Sequence, residues 1–190
     1  MSNIPIDNRA RNSLTFENEM YFYTATINNW YFLLNNDNFK QIIIDSLTYL
    51  SKNKLLKIYA FVIMPNHIHL IVKILKLNGK ENPLGSFLKY TAHEFKKKIK
   101  NEDALELEKY KVNKSNKNYE FWQRDPLAKP IFTKDFFTQK LNYIHQNPVK
   151  DKWMLAQNTK DYKFSSASFY ENNNQDFAFL MNGFEIEFGS

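Results

Sequence analysis

Residues 58–75 form the longest apolar stretch of the chain, broken by Pro65, Asn66, His67, His69 and Lys73. A run so interrupted cannot cross a bilayer. Its β-branched and aromatic content instead makes two strands, 55–64 and 67–75, and Pro65-Asn66 is the short turn that pairs them as a hairpin. Side chains alternate faces along a strand. His67 and His69 therefore project from one face, and Ile68 and Leu70 from the other.

The remaining pattern surrounds that hairpin with helices. Residues 20–27 (MYFYTATI) are aromatic and β-branched and read as a strand. After Asp37, which can cap a helix, Phe39, Ile42, Ile43, Leu47 and Leu50 recur at helical spacing over 38–52. Pro83 can open a second helix whose apolar face is Leu84, Phe87, Leu88, Thr91, Ala92, Phe95 and Ile99. Residues 101–118 are charged and weakly periodic and read as a flexible insert. Residues 119–123 and 129–132 look extended, and 134–146 reads as a helix that Pro148 ends near Asn147. The expected organisation is a flexible arm over 1–18, one domain over 19–170 and a C-terminal tail over 171–190. The order strand, helix, strand, strand, helix, extended piece, helix suggests an α+β fold. It resembles a ferredoxin-like split βαβ antiparallel sheet with helices packed on one face.

Composition narrows the chemistry. With no cysteine, disulfides, thiolate nucleophiles and Cys-based zinc sites are excluded. The N-terminus lacks the apolar core of a signal peptide, so the expected location is the cytoplasm, with no membrane partner. The formal charge of +6 suits a polyanionic partner. Lys96, Lys97, Lys98 and Lys100 at the end of the second helix, together with Arg124, are the candidate phosphate contacts, and a solvated helix end is the competing reading. Trp30, Phe121 and Trp122 are candidates for stacking on exposed bases, against the alternative that they are core.

Two imidazoles side by side on a strand are half of a metal site. With only His93 and His145 left as further soft ligands, an open site completed by oxygen donors is favoured over a closed structural one. A second cluster is Tyr143 and Asn147, four residues apart and so on one face of a helix. They can present a phenol and an amide to one point. Equally, Tyr143 can be an ordinary half-buried aromatic on a helix that ends at a proline.

The motifs MPNHIHLIV at 64–72, FWQ at 121–123, YIHQNPV at 143–149 and DYKFSSA at 161–167 occur together in that order. In this the chain resembles the REP-associated tyrosine transposases, a branch of the single-tyrosine HUH transposases, from about residue 20 to 170. The resemblance implies a ferredoxin-like fold with the catalytic tyrosine on a C-terminal helix. It implies that His67 and His69 are metal ligands, Asn147 a third ligand and Tyr143 the nucleophile. It implies a divalent cofactor, Mg²⁺ or Mn²⁺, and single-stranded or hairpin DNA as partner, cleaved and rejoined through a 5′-phosphotyrosine. Relatives include monomers and dimers, so a homodimer is also an option. The alternative is a DNA-hairpin-binding module derived from a transposase that no longer cuts. The chain departs from the family's pattern at Lys152, at Thr26-Ile27-Asn28-Asn29-Trp30 and at Phe164, where many relatives carry Gly, Arg-Gly and Trp. These departures bear on which DNA is recognised.

Overall fold

The computed structural model describes residues 15–114, 117–150 and 152–188. In chain order its elements are β1 (Met20–Thr26), α1 (Asp37–Lys52), β2 (Leu56–Ile63), β3 (His67–Ile74), α2 (Pro83–Glu102), α3 (Ala104–Leu107), β4 (Lys111–Lys114), β5 (Lys117–Tyr119), β6 (Leu127–Pro130), α4 (Lys134–Gln146) and α5 (Ala167–Asn172). Four strands form one antiparallel sheet in the order β2-β3-β1-β6. Strand β3 lies between β1 and β2, and β1 lies between β3 and β6. The sheet is thus two interleaved split βαβ units, the expected α+β arrangement. Pro130, which has no N–H, ends the edge strand β6.

Each strand face feeds a separate core. Tyr21, Tyr23, Ala25, Ile68, Leu70 and Val72 pack under α1 and α2. Met20, Phe22, Val62 and Ile71 pack under Phe137, Leu141 and Ile144 of α4. Two helices therefore cover one face as expected, and the tyrosine-bearing helix covers the other. Strand β2 reaches both cores through a bulge: Ile58 pairs with Val72, but Ala60 pairs with Ile71, leaving Tyr59 as the extra residue. The bulge reverses the parity of the strand. Ile58 and Phe61 face one core, while Tyr59 and Val62 face the other.

The helix ends follow local chemistry. Asn36, one residue before the expected cap, accepts from the Asn38 N–H at 2.9 Å and starts α1. Asn82 accepts from Leu84 N–H at 2.9 Å and precedes Pro83 at the start of α2. Pro148 sits in the 3-10 turn Asn147–Val149 that follows α4.

Residues 101–118 correct the flexible-insert reading. They hold α3, a 3-10 turn and the β4-β5 hairpin, with residues 115–116 outside the described residues. Leu107 and Tyr110 are buried in the main core and anchor a segment whose charges hide them. Phe121 and Trp122 are core as well. The Trp122 indole N–H donates to Thr91 Oγ1 at 2.9 Å, so these two rings are not free to stack on bases. The tail is also integral to the fold. Leu180 bridges to Ile58, and Gly183 lies against the Phe137 ring. Of the expected N-terminal arm, residues 1–14 lie outside the described residues, while Asn18 N–H bonds Ile74 O at 2.7 Å. Among the described residues no helix is long and apolar enough to cross a membrane.

His145 ties α4 to the chain before α5. Its Nε2 is 2.9 Å from Ser166 Oγ, which in turn meets the Phe61 backbone N–H at 3.1 Å. Burial lowers the His145 pKa to about 4.

Two stability predictions follow from this packing. An added Cβ at Gly183 would lie 2.0 Å from Phe137 Cζ. Gly183→Ala is therefore expected to cost about 2–3 kcal/mol by overpacking, read as a lower urea midpoint with an unchanged slope. Because His145 stays neutral in the folded chain, its contribution is full above pH 6.5 and is lost as pH falls towards 4, where only the unfolded chain has taken up the proton. Between those pH values wild type should lose about 2–3 kcal/mol more than His145→Gln, compared by urea titration across the range.

Candidate active site

Register places the two histidines. His67 and His69 pair with Thr26 and Thr24 of β1, and both imidazoles lie on the α4 side of the sheet beyond Ile71. Helix α4 covers Ile71 but leaves the end of β3 open to a cleft of about 460 Å³. His67, His69, Tyr143 and Asn147 all line it. The structure thus brings together the four residues that the sequence singled out on separate elements.

Each imidazole is held through Nδ1. His67 Nδ1 is 2.7 Å from Asn66 Oδ1, and His69 Nδ1 is 2.7 Å from Thr24 Oγ1. The Asn66 amide nitrogen donates to Trp30 O at 3.3 Å, so its oxygen is the group facing His67 and Nδ1 carries the proton. That leaves the His67 Nε2 lone pair free. His69 Nε2 is buried and has no hydrogen-bond partner. An unsatisfied buried nitrogen is costly unless something binds it. The rings lie 4.8 Å apart, and His69 stacks on Phe22 at 5.3 Å.

Both imidazoles are kept neutral. Burial, and then the nearby Lys152, lower the His67 pKa to about 4. His69 is held well below the ordinary histidine value by burial, then by His67, Lys140 and Lys150. Neutral imidazole is the form that binds a metal. Among the described residues no three His, Cys, Asp or Glu side chains cluster as a metal site. The buried Asn147 lines the same cleft and offers an amide oxygen as a further donor.

Tyr143 is 38% exposed on the outer side of α4, while Phe137, Leu141 and Ile144 of that helix are buried. Its ring lies 5.1 Å from His69 and 5.8 Å from Phe22. Two cations flank it: Lys150 Nζ stands 4.6 Å from the ring centre and Lys140 Nζ 5.6 Å. Lys152 lines the same cleft, and none of the described lining residues is acidic. Cations over a low-dielectric cleft concentrate anions there.

The anticipated basic cluster lies elsewhere. Lys96 sits over Tyr119 at 4.7 Å, Lys98 pairs with Glu102 at 2.7 Å, and Arg124 with Glu120 at 3.4 Å. Lys97 and Lys100 share the end of α2, and none of these five residues lines the cleft. Sequence reasoning missed Lys140 and Lys150 as the cations of the site. The available signal for Lys140 was its position three residues before Tyr143, on the same helical face.

No protein-family model and no curated protein matches the sequence. Among solved structures, one of a REP-associated tyrosine transposase bound to a REP hairpin matches with a TM-score of 0.60 at 16% identity, covering 100% of this chain and 96% of that chain. The resemblance carried by the motifs thus extends to the fold: the chain is built on the same α+β framework as that transposase.

Proposed function

We propose that the chain is a transposase that cuts and rejoins single-stranded DNA at hairpin-containing repeats, with Tyr143 as nucleophile. The observation that carries the reading is the meeting, in one cationic cleft, of a half-exposed tyrosine and two buried neutral imidazoles, one with an unpartnered Nε2. The hairpin bound by the transposase of like fold supports the substrate class.

In this mechanism the Tyr143 hydroxyl gives up its proton to water as its oxygen attacks a backbone phosphorus. The bond to the 3′ oxygen breaks, that oxygen leaves with the electron pair and takes a proton from water, and the 5′ side stays on Tyr143 as a phosphotyrosine. Attack by another 3′-OH reverses the step and rejoins DNA without ATP. Lys140, Lys150 and Lys152 favour the entry of the phosphodiester and oppose the build-up of negative charge on it. A divalent Mg²⁺ or Mn²⁺ ion held by His67, His69 and Asn147 would supply Lewis-acid polarisation of a non-bridging phosphate oxygen. Thr24 and Asn66 orient the two imidazoles, the usual work of groups behind a metal ligand.

Incubation with labelled single-stranded hairpins from the DNA flanking the gene should give a denaturation-resistant protein–DNA adduct. It should need Mn²⁺ or Mg²⁺, vanish in EDTA, and be absent from Tyr143→Phe and His69→Ala. A Tyr143→Phe chain that still cuts at the same phosphate sinks the assignment. Tight hairpin binding with no adduct from wild type makes the chain a binding module that no longer cuts.

The phosphate path gives a second test. Removing Lys140, Lys150 and Lys152 together should lower the slope of log affinity against log salt by about 2, at roughly 0.7 per single-strand phosphate contact. Alanine at Lys96, Lys97, Lys98 and Lys100 should change it less. The reverse order would put the path at the end of α2.

A further inference from the structure

Trp30 lines the His–Tyr cleft on one side and a second cleft, of about 720 Å³, on the other. Phe32 lines this second cleft too, and the two rings are 57% and 61% exposed. Phe16, Tyr49, Tyr90, Phe132 and Phe184 are comparably exposed, but none of these lines the His–Tyr cleft as Trp30 does, and leaving a ring in water there forgoes the stabilisation of burying it.

The backbone is also strained at this point. Asn29 (φ 55°) and Trp30 (φ 58°) are consecutive non-glycine residues in the left-handed region. Bulky side chains rarely adopt that conformation, and strain of this kind gathers at ligand clamps. It is held by bonds from both sides. Trp30 N–H donates to Ile27 O at 2.9 Å, Ile27 N–H donates to Asn66 O at 2.8 Å, and Asn66 Nδ2 donates to Trp30 O. The fold therefore fixes an indole at the rim of the cleft and leaves it uncovered. Lys150 and Lys152 line the same cleft. A flat aromatic face beside cations that attract phosphate matches the repeating unit of a single DNA strand, base and phosphate together.

We infer that Trp30, with Phe32 in the adjoining cleft, is a stacking platform for an unpaired nucleobase next to the phosphate that enters the His–Tyr cleft. This rests on the DNA reading above but not on cleavage. The platform selects unpaired over paired strands, because a base within a duplex has no free face. It also tolerates any base, since every base has a π face.

The test measures binding by the full chain carrying Tyr143→Phe, in EDTA, so that neither cleavage nor metal contributes. The probes are an oligothymidylate and an abasic deoxyribose-phosphate chain of equal length. The oligothymidylate should bind more tightly. Trp30→Ala should lose roughly five- to hundredfold of that affinity, the range for one stacked base, with no loss on the abasic chain. Trp30→Phe should keep most of it, and the urea midpoint of each variant should match the parent. Equal binding of the two probes by the parent overturns the platform while leaving phosphate recognition intact. Binding of neither probe removes the DNA reading together with it. Unchanged oligothymidylate affinity in Trp30→Ala, or a loss confined to self-association, overturns the platform alone.

Discussion

Strand β3 is hydrogen-bonded along both edges, to β1 and to β2, and its side chains have no freedom to exchange faces. Ile68, Leu70 and Val72 enter the core under α1 and α2, so His67 and His69 must emerge on the other side. A slip of one residue would send both imidazoles into that core and turn the isoleucine and leucine into the cleft. The neighbouring strand accommodates this register through the bulge at Tyr59, which lets β2 serve one core before the bulge and keep serving both after it. Helix α4 completes the arrangement. Its apolar face covers Ile71 and stops short of the histidines, so Tyr143 reaches His69 from a helix that is itself fixed by packing.

Burial then decides the electrostatics. Two imidazoles removed from water beside lysines favour their neutral form, and neutral nitrogens cannot offset the positive charge of Lys140, Lys150 and Lys152. The described lining supplies no carboxylate to do so either. Among the described residues the cleft therefore has lysines with no acidic lining residue beside them, and a buried nitrogen without a partner. On the proposed function a divalent ion would take up the nitrogens and a phosphodiester would face the lysines, so the two bound together would answer both features.

Period and turn chemistry made the sheet readable from sequence. The apolar, β-branched character of 67–75 marked a strand, on which residues two apart share a face, so the paired histidines could be assigned one side, and Pro148 marked the end of the tyrosine helix. What stayed hidden depended on contacts between distant segments. Leu107 and Tyr110 sit among charges that suggest a loose connection, yet each finds a place in a core assembled from α2 and residues far along the chain. The tail reads as mixed composition because Gly183 matters only through its fit against Phe137, which no local pattern announces. The lysines of the site were passed over for a denser run at 96–100. Charge density along a sequence says nothing of which cations converge in space.

Asn66 links these levels. As a turn residue between β2 and β3 it was legible for its backbone role. Its side chain does more: Oδ1 fixes the tautomer of His67, Nδ2 holds the carbonyl of Trp30, and its own carbonyl accepts from Ile27. One buried amide therefore sets the direction of the His67 Nε2 lone pair and the position of an exposed indole together. The loop after β1 cannot relax its left-handed residues without releasing Asn66, and releasing Asn66 frees the ring of His67 to turn. The strain at Asn29 and Trp30 is in this way coupled to the site, and the exposed indole and the His67 imidazole are positioned by the same side chain.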